Sequence, residues 1–246
     1  MIVSTRDLPV PERALAVGAH PDDVEFGAGA TLARWAEAGC AVSLLVCTDG
    51  SKGTWDVDAD TAALVATRQA EQRDAARALG ATGEVVFLGR VDGDLVADRE
   101  AISAVAREIR RLRPDVLLGH DPWRRHRLHP DHHAAGRIVV DALVAARDPH
   151  FFRDHGIAHH RPGALLLFEA DGPGHVEVAA PRHVEAKIAA LEAHRSQYES
   201  TMFVSADDAG AEAERFRRRI RDEAATAGRV VGRPAAELFA HLPTDR

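Results

Sequence analysis

Residues 14–23 read ALAVGAHPDD, an apolar run from Ala14 to Ala19 closed by His20, Pro21, Asp22 and Asp23. A short unbroken apolar run bounded by turn-forming residues has the pattern of a strand covered on both faces, as in a parallel sheet. The flanking sequence continues in the same style. Phe26–Ala38 carries Leu32, Trp35 and Ala36 at helical spacing and stops at Gly39. Ala41–Thr48 (AVSLLVCT) is a second buried strand, followed by a polar loop over Asp49–Asp60. The alternation then runs through helix Thr61–Leu79, strand Glu84–Leu88, helix Asp98–Arg113, strand Asp115–Gly119 and helix Asp131–Arg147. Such alternation predicts an α/β fold built on a Rossmann-like, doubly wound, mostly parallel sheet.

Past residue 150 the regularity changes. Ala164–Phe168 and His175–Ala179 read as strands joined by Gly-Pro-Gly turn chemistry around Pro173. Val184–Tyr198 and Ala211–Ala227 read as helices, and Ala235–His241 as a short one. With no repeat and no clean linker, the expectation is one domain over 1–246, a core over 1–150 carrying a C-terminal α/β elaboration over 151–246.

Composition narrows the classes. Hydrophobic residues make up 46% of the 246 and charged ones 28%, enough for a packed core. The net charge of −7 argues against a nucleic acid or an acidic membrane surface as a partner held by bulk charge. No apolar run approaches the ~20 residues of a membrane span. The N-terminal MIVSTRDLPVPER lacks the form of a secretion signal. The two cysteines, Cys40 and Cys47, share one apolar stretch and supply no disulfide scaffold, so a cytoplasmic protein is expected.

Fourteen histidines against one tyrosine direct attention to where the histidines fall. Two segments stand out, His20-Pro21-Asp22-Asp23 after the first strand and His129-Pro130-Asp131-His132-His133 after the fourth. Each also reads as plain helix-start grammar, Pro and Asp at a first turn. In a Rossmann-like order, however, the first and fourth strands lie side by side at the switch point, where ligands bind beyond the carboxyl ends. Both segments then meet in one crevice, and capping alone does not ask for histidines there. Two imidazoles and one carboxylate, with a fourth position left for water, make a catalytic zinc arrangement; iron(II) takes the same donors and stays open. Asp22 is then a candidate general base, and His129 or Asp131 a candidate proton donor or oxyanion partner. Other signatures are missing: Gly27-Ala28-Gly29 is followed by Leu32 where a dinucleotide fingerprint needs glycine, and neither a Walker A loop nor a Gly-x-Ser-x-Gly elbow occurs.

On these residues the chain resembles the PIG-L/LmbE-like zinc de-N-acetylase superfamily, with AHPDD at 19–23 and HPDH at 129–132 as its two defining motifs. Weaker matches are Thr48-Asp49-Gly50, Arg68 with Glu71, Asp92-Gly93, Lys187 ahead of His194-Arg195-Ser196-Gln197, and Ala236–Phe239, which resembles the superfamily's terminal helix. The resemblance implies zinc held by His20, Asp23 and His132, Asp22 as general base, and His129 as oxyanion or proton partner oriented by Asp131. It implies substrate contacts from Arg68 and Asp92, and a register that favours His132 over the adjacent His133 as ligand. The loop SKGTWDVD after Gly50 departs from the Gly-Glu-Arg-Gly type found in relatives.

The implied activity is hydrolysis of an N-acyl, usually N-acetyl, group on an amino sugar or related small-molecule amide. Alternatives are an amidase of the mycothiol-conjugate type and a non-catalytic zinc- or ligand-binding homologue. The presence of both Asp22 and His129 counts against the latter, since binding alone needs neither. A phosphoesterase fits less well, with one mononuclear site and no bridging carboxylate evident. A homo-oligomer is expected, with the segment 148–182 as its interface.

Overall fold

The apolar runs assemble into one eight-stranded sheet, in the order β1-β7-β8-β6-β5-β2-β3-β4. The strands are β1 Thr5–Arg6, β2 Arg13–Gly18, β3 Ala41–Thr48, β4 Val85–Arg90, β5 Val116–His120, β6 Ala164–Phe168, β7 His175–Ala179 and β8 Ala235–Pro243. The helices are α1 Asp23–Glu37, α2 Thr61–Ala78, α3 Arg99–Leu112, α4 Pro130–Arg147, α5 Pro181–Glu192 and α6 Ala211–Arg229. The structure, a computed structural model, describes residues 4–208 and 210–244.

β2 pairs in parallel with β3 on one side and β5 on the other, so strand order reverses between β2 and β5. Side chains alternate across the sheet, as the pleat requires. Leu15, Val17, Leu45 and Leu117 pack with Ala106, Ile109, Ile138 and Val139 from α3 and α4. Ala14, Ala16, Leu44 and Leu118 pack on the other face with Leu32 and Trp35 of α1. Helix starts follow local chemistry: Asp60 accepts from the Ala62 and Ala63 amides, and Asp98 from the Ala101 amide. Gly136 lets α4 lie directly against the end of β5, because a Cβ there would sit 2.6 Å from the His120 carbonyl oxygen.

Four expectations need correction. Ala235–His241 is not a helix but most of strand β8, inserted antiparallel between β6 and β7. A short apolar segment does not distinguish the two by periodicity, and its two strand partners, far off in sequence, decide. The helix expected over Val184–Tyr198 begins at Pro181, ends at Glu192, and is followed by a 3-10 turn at Arg195–Gln197 and a π turn at Tyr198–Met202. Two boundaries also move at the site: α1 begins at Asp23 rather than Phe26, and β5 runs one residue further, to His120. No helix among the described residues is long and apolar enough to cross a membrane.

Candidate metal centre and active-site cleft

The segments leaving the carboxyl ends of β2, β3, β4, β5 and β6 converge on a cavity of about 500 Å³, whose floor includes His20, Asp22, Asp23, Asp92, His129 and His132. The turn after β2 is pinned to β3, since the Thr48 amide and hydroxyl both donate to the Ala19 carbonyl at 2.8 Å. Asp22, the residue before α1, has φ +111°, a left-handed conformation uncommon outside glycine. Such strain persists only where the surroundings over-determine it. Here the Asp22 amide donates to Gln72 Oε1 at 3.1 Å, and the Arg68 guanidinium donates to the carbonyls of Pro21 (2.7 Å) and Gly50 (2.9 Å). Arg68 also lies 3.7 Å from the Asp22 carboxylate and 3.9 Å from that of Asp92.

Asp23 is the hub. Its Oδ2 accepts from the His20 amide at 2.7 Å and lies 3.4 Å from His20 Nδ1 and 3.2 Å from His120 Nε2, while Oδ1 lies 3.2 Å from His132 Nε2. The far nitrogen of His20, Nε2, faces Asp131 Oδ2 at 3.1 Å and Asp92 Oδ1 at 3.2 Å. The Asp131 carboxylate, fully buried, also accepts from the amides of Gly93 (2.6 Å) and Leu95 (3.2 Å). Thus Asp131 braces His20; its link to His129 is through its backbone, whose N–H donates to His129 Nδ1 at 3.3 Å. A neutral imidazole that accepts at Nδ1 carries its proton on Nε2, which makes His129 a donor.

The electrostatics follow. Burial alone would lower the pKa of His20, but hydrogen bonds to Asp131, Asp23 and Asp92 push it up to about 12. Burial would raise Asp23, yet the charges of His132 and His120 hold it well below the ordinary carboxylate range. Burial dominates at Asp22 and, with Arg68 pulling the other way, raises it to about 6. His129 is lowered by burial and by the neighbouring His20 and His132.

These donors fit a metal. Two ligands each ~2.0–2.1 Å from a tetrahedral zinc are roughly 3.3–3.4 Å apart. Asp23 Oδ2 lies 3.4 Å from His20 Nδ1, and its other oxygen, Oδ1, lies 3.2 Å from His132 Nε2, so the carboxylate bridges the two imidazoles with different oxygens. Two overlapping trios, His20/His129/His132 and Asp23/His120/His132, each bring one donor atom per residue within 4.8 Å of the others, and so do His20, Asp92 and Asp131. The structure therefore gathers His20, Asp22, Asp23, Asp92, His129, Asp131 and His132 with Arg68 around one cleft. His133 is turned away, with Nδ1 3.2 Å from the Pro122 carbonyl.

His120 was not anticipated. It is buried, its Nε2 faces Asp23, its ring stacks on His132 at 4.3 Å, and its Nδ1 lies 3.1 Å from Glu169 Oε2. Glu169 in turn accepts from Arg127 at 2.6 Å. The available signal was a histidine at the very end of a strand flanking the switch point.

A doubly wound sheet with a histidine–aspartate metal cradle at its switch point and an uncommitted carboxylate beside it defines the class: a metal-dependent hydrolase. The chain belongs to the PIG-L family, whose model, GlcNAc-PI de-N-acetylase, matches residues 15–143. It is 31% identical over 190 residues to diacetylchitobiose deacetylase of Thermococcus kodakarensis, covering 76% of this chain and 70% of that one. It is 34% identical over 176 residues to 1D-myo-inositol 2-acetamido-2-deoxy-alpha-D-glucopyranoside deacetylase of Kineococcus radiotolerans, covering 59% of this chain and 48% of the relative, about half its length. Among solved structures, N,N′-diacetylchitobiose deacetylase from Pyrococcus horikoshii superposes with a TM-score of 0.83 at 26% identity, covering 95% of this chain and 84% of the other.

Proposed function

We propose that this protein is a zinc-dependent N-deacetylase that hydrolyses the acetamide of an N-acetylglucosaminide. The observation that carries the reading is Asp22, held on a strained turn beside His20, Asp23 and His132 with no helix N–H donating to its carboxylate. The named relatives act on N-acetylated amino sugars, and that substrate class is carried over to this chain. Zinc would be held by His20, Asp23 and His132, where it supplies Lewis acidity toward the amide carbonyl and lowers the pKa of water towards ~7.

Asp22, ionised at neutral pH, takes the proton of the attacking water. His129, neutral, donates a hydrogen bond from Nε2 to the oxyanion that develops on the former carbonyl oxygen, and the proton taken up by Asp22 passes to the leaving amine. Asp131 and Asp92 fix the ring of His20 from behind. Arg68 keeps the Pro21 and Gly50 carbonyls, and with them the Asp22 turn, in place while it and Asp92 present polar groups to the sugar.

The test is acetate release from N-acetylglucosamine, N,N′-diacetylchitobiose and N-acetylglucosaminyl-inositol, with metal removed and zinc restored. Release that depends on zinc and disappears in Asp22→Asn is expected. Zinc-loaded, folded protein inert toward all three would overturn the substrate assignment.

A further inference from the structure

Trp55 is out of place for a core residue. Its indole is 73% exposed, whereas Trp35 is wholly buried in the core. Exposed apolar side chains are ordinary when scattered, but this one lines the same cavity as His20, Asp22 and His129. It lies in the loop SKGTWDVD that follows Gly50.

The loop that carries Trp55 is tied to the machinery on its N-terminal side. The Lys52 amide donates to Asp92 Oδ2 at 3.2 Å, Gln197 Nε2 donates to the Gly53 carbonyl at 3.0 Å, and the Gly53 amide donates to the Gly50 carbonyl at 3.2 Å. Beyond Trp55, the Asp56 amide donates to Thr54 Oγ1 at 3.1 Å and the Asp58 amide to Asp56 Oδ1 at 3.0 Å. The indole is therefore presented on an ordered turn. The same cavity is lined by the Gln197 amide and the hydroxyls of Ser200 and Thr201, together with the charged side chains of Lys52, Glu169 and Arg219. An aromatic face flanked by amides and hydroxyls suits a saturated polyhydroxylated ring. Such a ring turns its C–H bonds to the electron-rich indole face and its hydroxyls to the polar groups around it. The cavity, about 500 Å³, lies within the roughly 300–1,000 Å³ typical of small-molecule sites and leaves room beyond the acetamide.

We propose that Trp55 is the platform of a second subsite. It stacks on a six-membered polyhydroxylated ring joined glycosidically to the N-acetylhexosamine whose acetamide reaches the metal cradle. This deepens the N-deacetylase reading and rests on it. The second ring is supplied by a hexosamine or by a cyclitol, and the chemistry at the indole is the same for both.

Two measurements test it. In the first, kcat/KM is compared between methyl N-acetylglucosaminide and two-ring substrates, one arm N,N′-diacetylchitobiose and the other N-acetylglucosaminyl-inositol. Trp55→Ala is expected to lower the two-ring to one-ring ratio about tenfold in the arm that carries the natural ring, mainly through KM, and Trp55→Phe to restore most of it. In the second, tryptophan emission of the zinc-loaded protein is titrated with the already deacetylated disaccharide and with glucosaminyl-inositol, so that no turnover is needed. The emission change is expected to survive Trp123→Phe and vanish in Trp55→Phe. An unchanged ratio in Trp55→Ala, or an emission change that persists in Trp55→Phe, overturns the platform. If no saccharide loses acetate, the activity reading fails and the titration alone decides Trp55: a change lost in Trp55→Phe supports the platform, and no change with either ligand overturns it.

Discussion

The tripeptide His-Pro-Asp occurs at 20–22 and again at 129–131, and the two copies do opposite things. In the first the helix starts after the tripeptide: Asp22 is the capping residue with φ +111°, and Asp23 is the first helical residue. In the second the helix starts inside it: His129 is the cap, Pro130 the first helical residue, and Asp131 lies in the first turn. Asp22 is therefore left facing the cleft, while Asp131 is committed to His20 and to the amides of Gly93 and Leu95. Their acidities diverge accordingly. Burial raises Asp22 to about 6, whereas at Asp131 burial is outweighed by the His20 and amide hydrogen bonds, and the carboxyl is lowered. Helix register, set by where the proline falls relative to the first turn, decides which carboxylate faces the cleft, as the proposed base must, and which braces His20.

The largest effect that bears on this contrast is loss of the cradle both segments build. Ala at His20, Asp23 or His132 should abolish stoichiometric zinc and lower acetate release by ~10³-fold or more. Elemental analysis beside the rate assay checks this, and a variant that keeps full zinc removes that residue from the ligand set.

Next come the two aspartates themselves. Asp22→Asn should cost ~10²–10⁴ in kcat with zinc content and fold intact, because the amide keeps the shape and loses the basicity. The base works only when ionised, so the wild-type rate should rise with pH on a limb whose midpoint lies no higher than about 6, since a dication alongside pulls Asp22 further down. That limb should be absent in Asp22→Asn. Asp131→Asn should instead weaken zinc binding ~10–100-fold by loosening His20, with much of kcat recovered when zinc is supplied in excess. Matching phenotypes in the two variants, in zinc affinity and pH profile alike, would break the comparison.

The parallel core and the meeting of the two histidine–aspartate segments were legible because both are local patterns placed by a general topological rule. What was not legible depended on partners distant in sequence. The strand Ala235–Pro243 takes its form from pairing with Ala164–Phe168 and His175–Ala179. His120 gains its place from Asp23 and Glu169, neither of which is near it in the chain. Asp131, expected to orient His129, meets that ring through its backbone N–H, while its carboxylate is held by the Gly93 and Leu95 amides and by His20. Several motif matches prove to be scaffold: Glu71 accepts from the Ser196 amide and hydroxyl at 2.8 and 2.6 Å, and Lys187 donates to Glu237 and to the Phe26 carbonyl at 2.7 Å.

The smallest expected effect tests the register of the second segment by one residue. Successive residues on a helix point roughly 100° apart. With Asp131 turned inward to His20 and His132 toward Asp23, His133 is carried away from the cradle, and its Nδ1–H donates to the Pro122 carbonyl at 3.2 Å. His133→Ala removes that one hydrogen bond to the loop after β5. The cost should be about 1 kcal/mol of stability, a fall in Tm of roughly 2–4 °C for a chain of this size, with zinc content unchanged. Calorimetry and elemental analysis on the same preparation read both. If His133→Ala loses zinc while His132→Ala keeps it, α4 is rotated by one residue from the arrangement described, Asp131 no longer meets His20, and the division between base and brace goes with it.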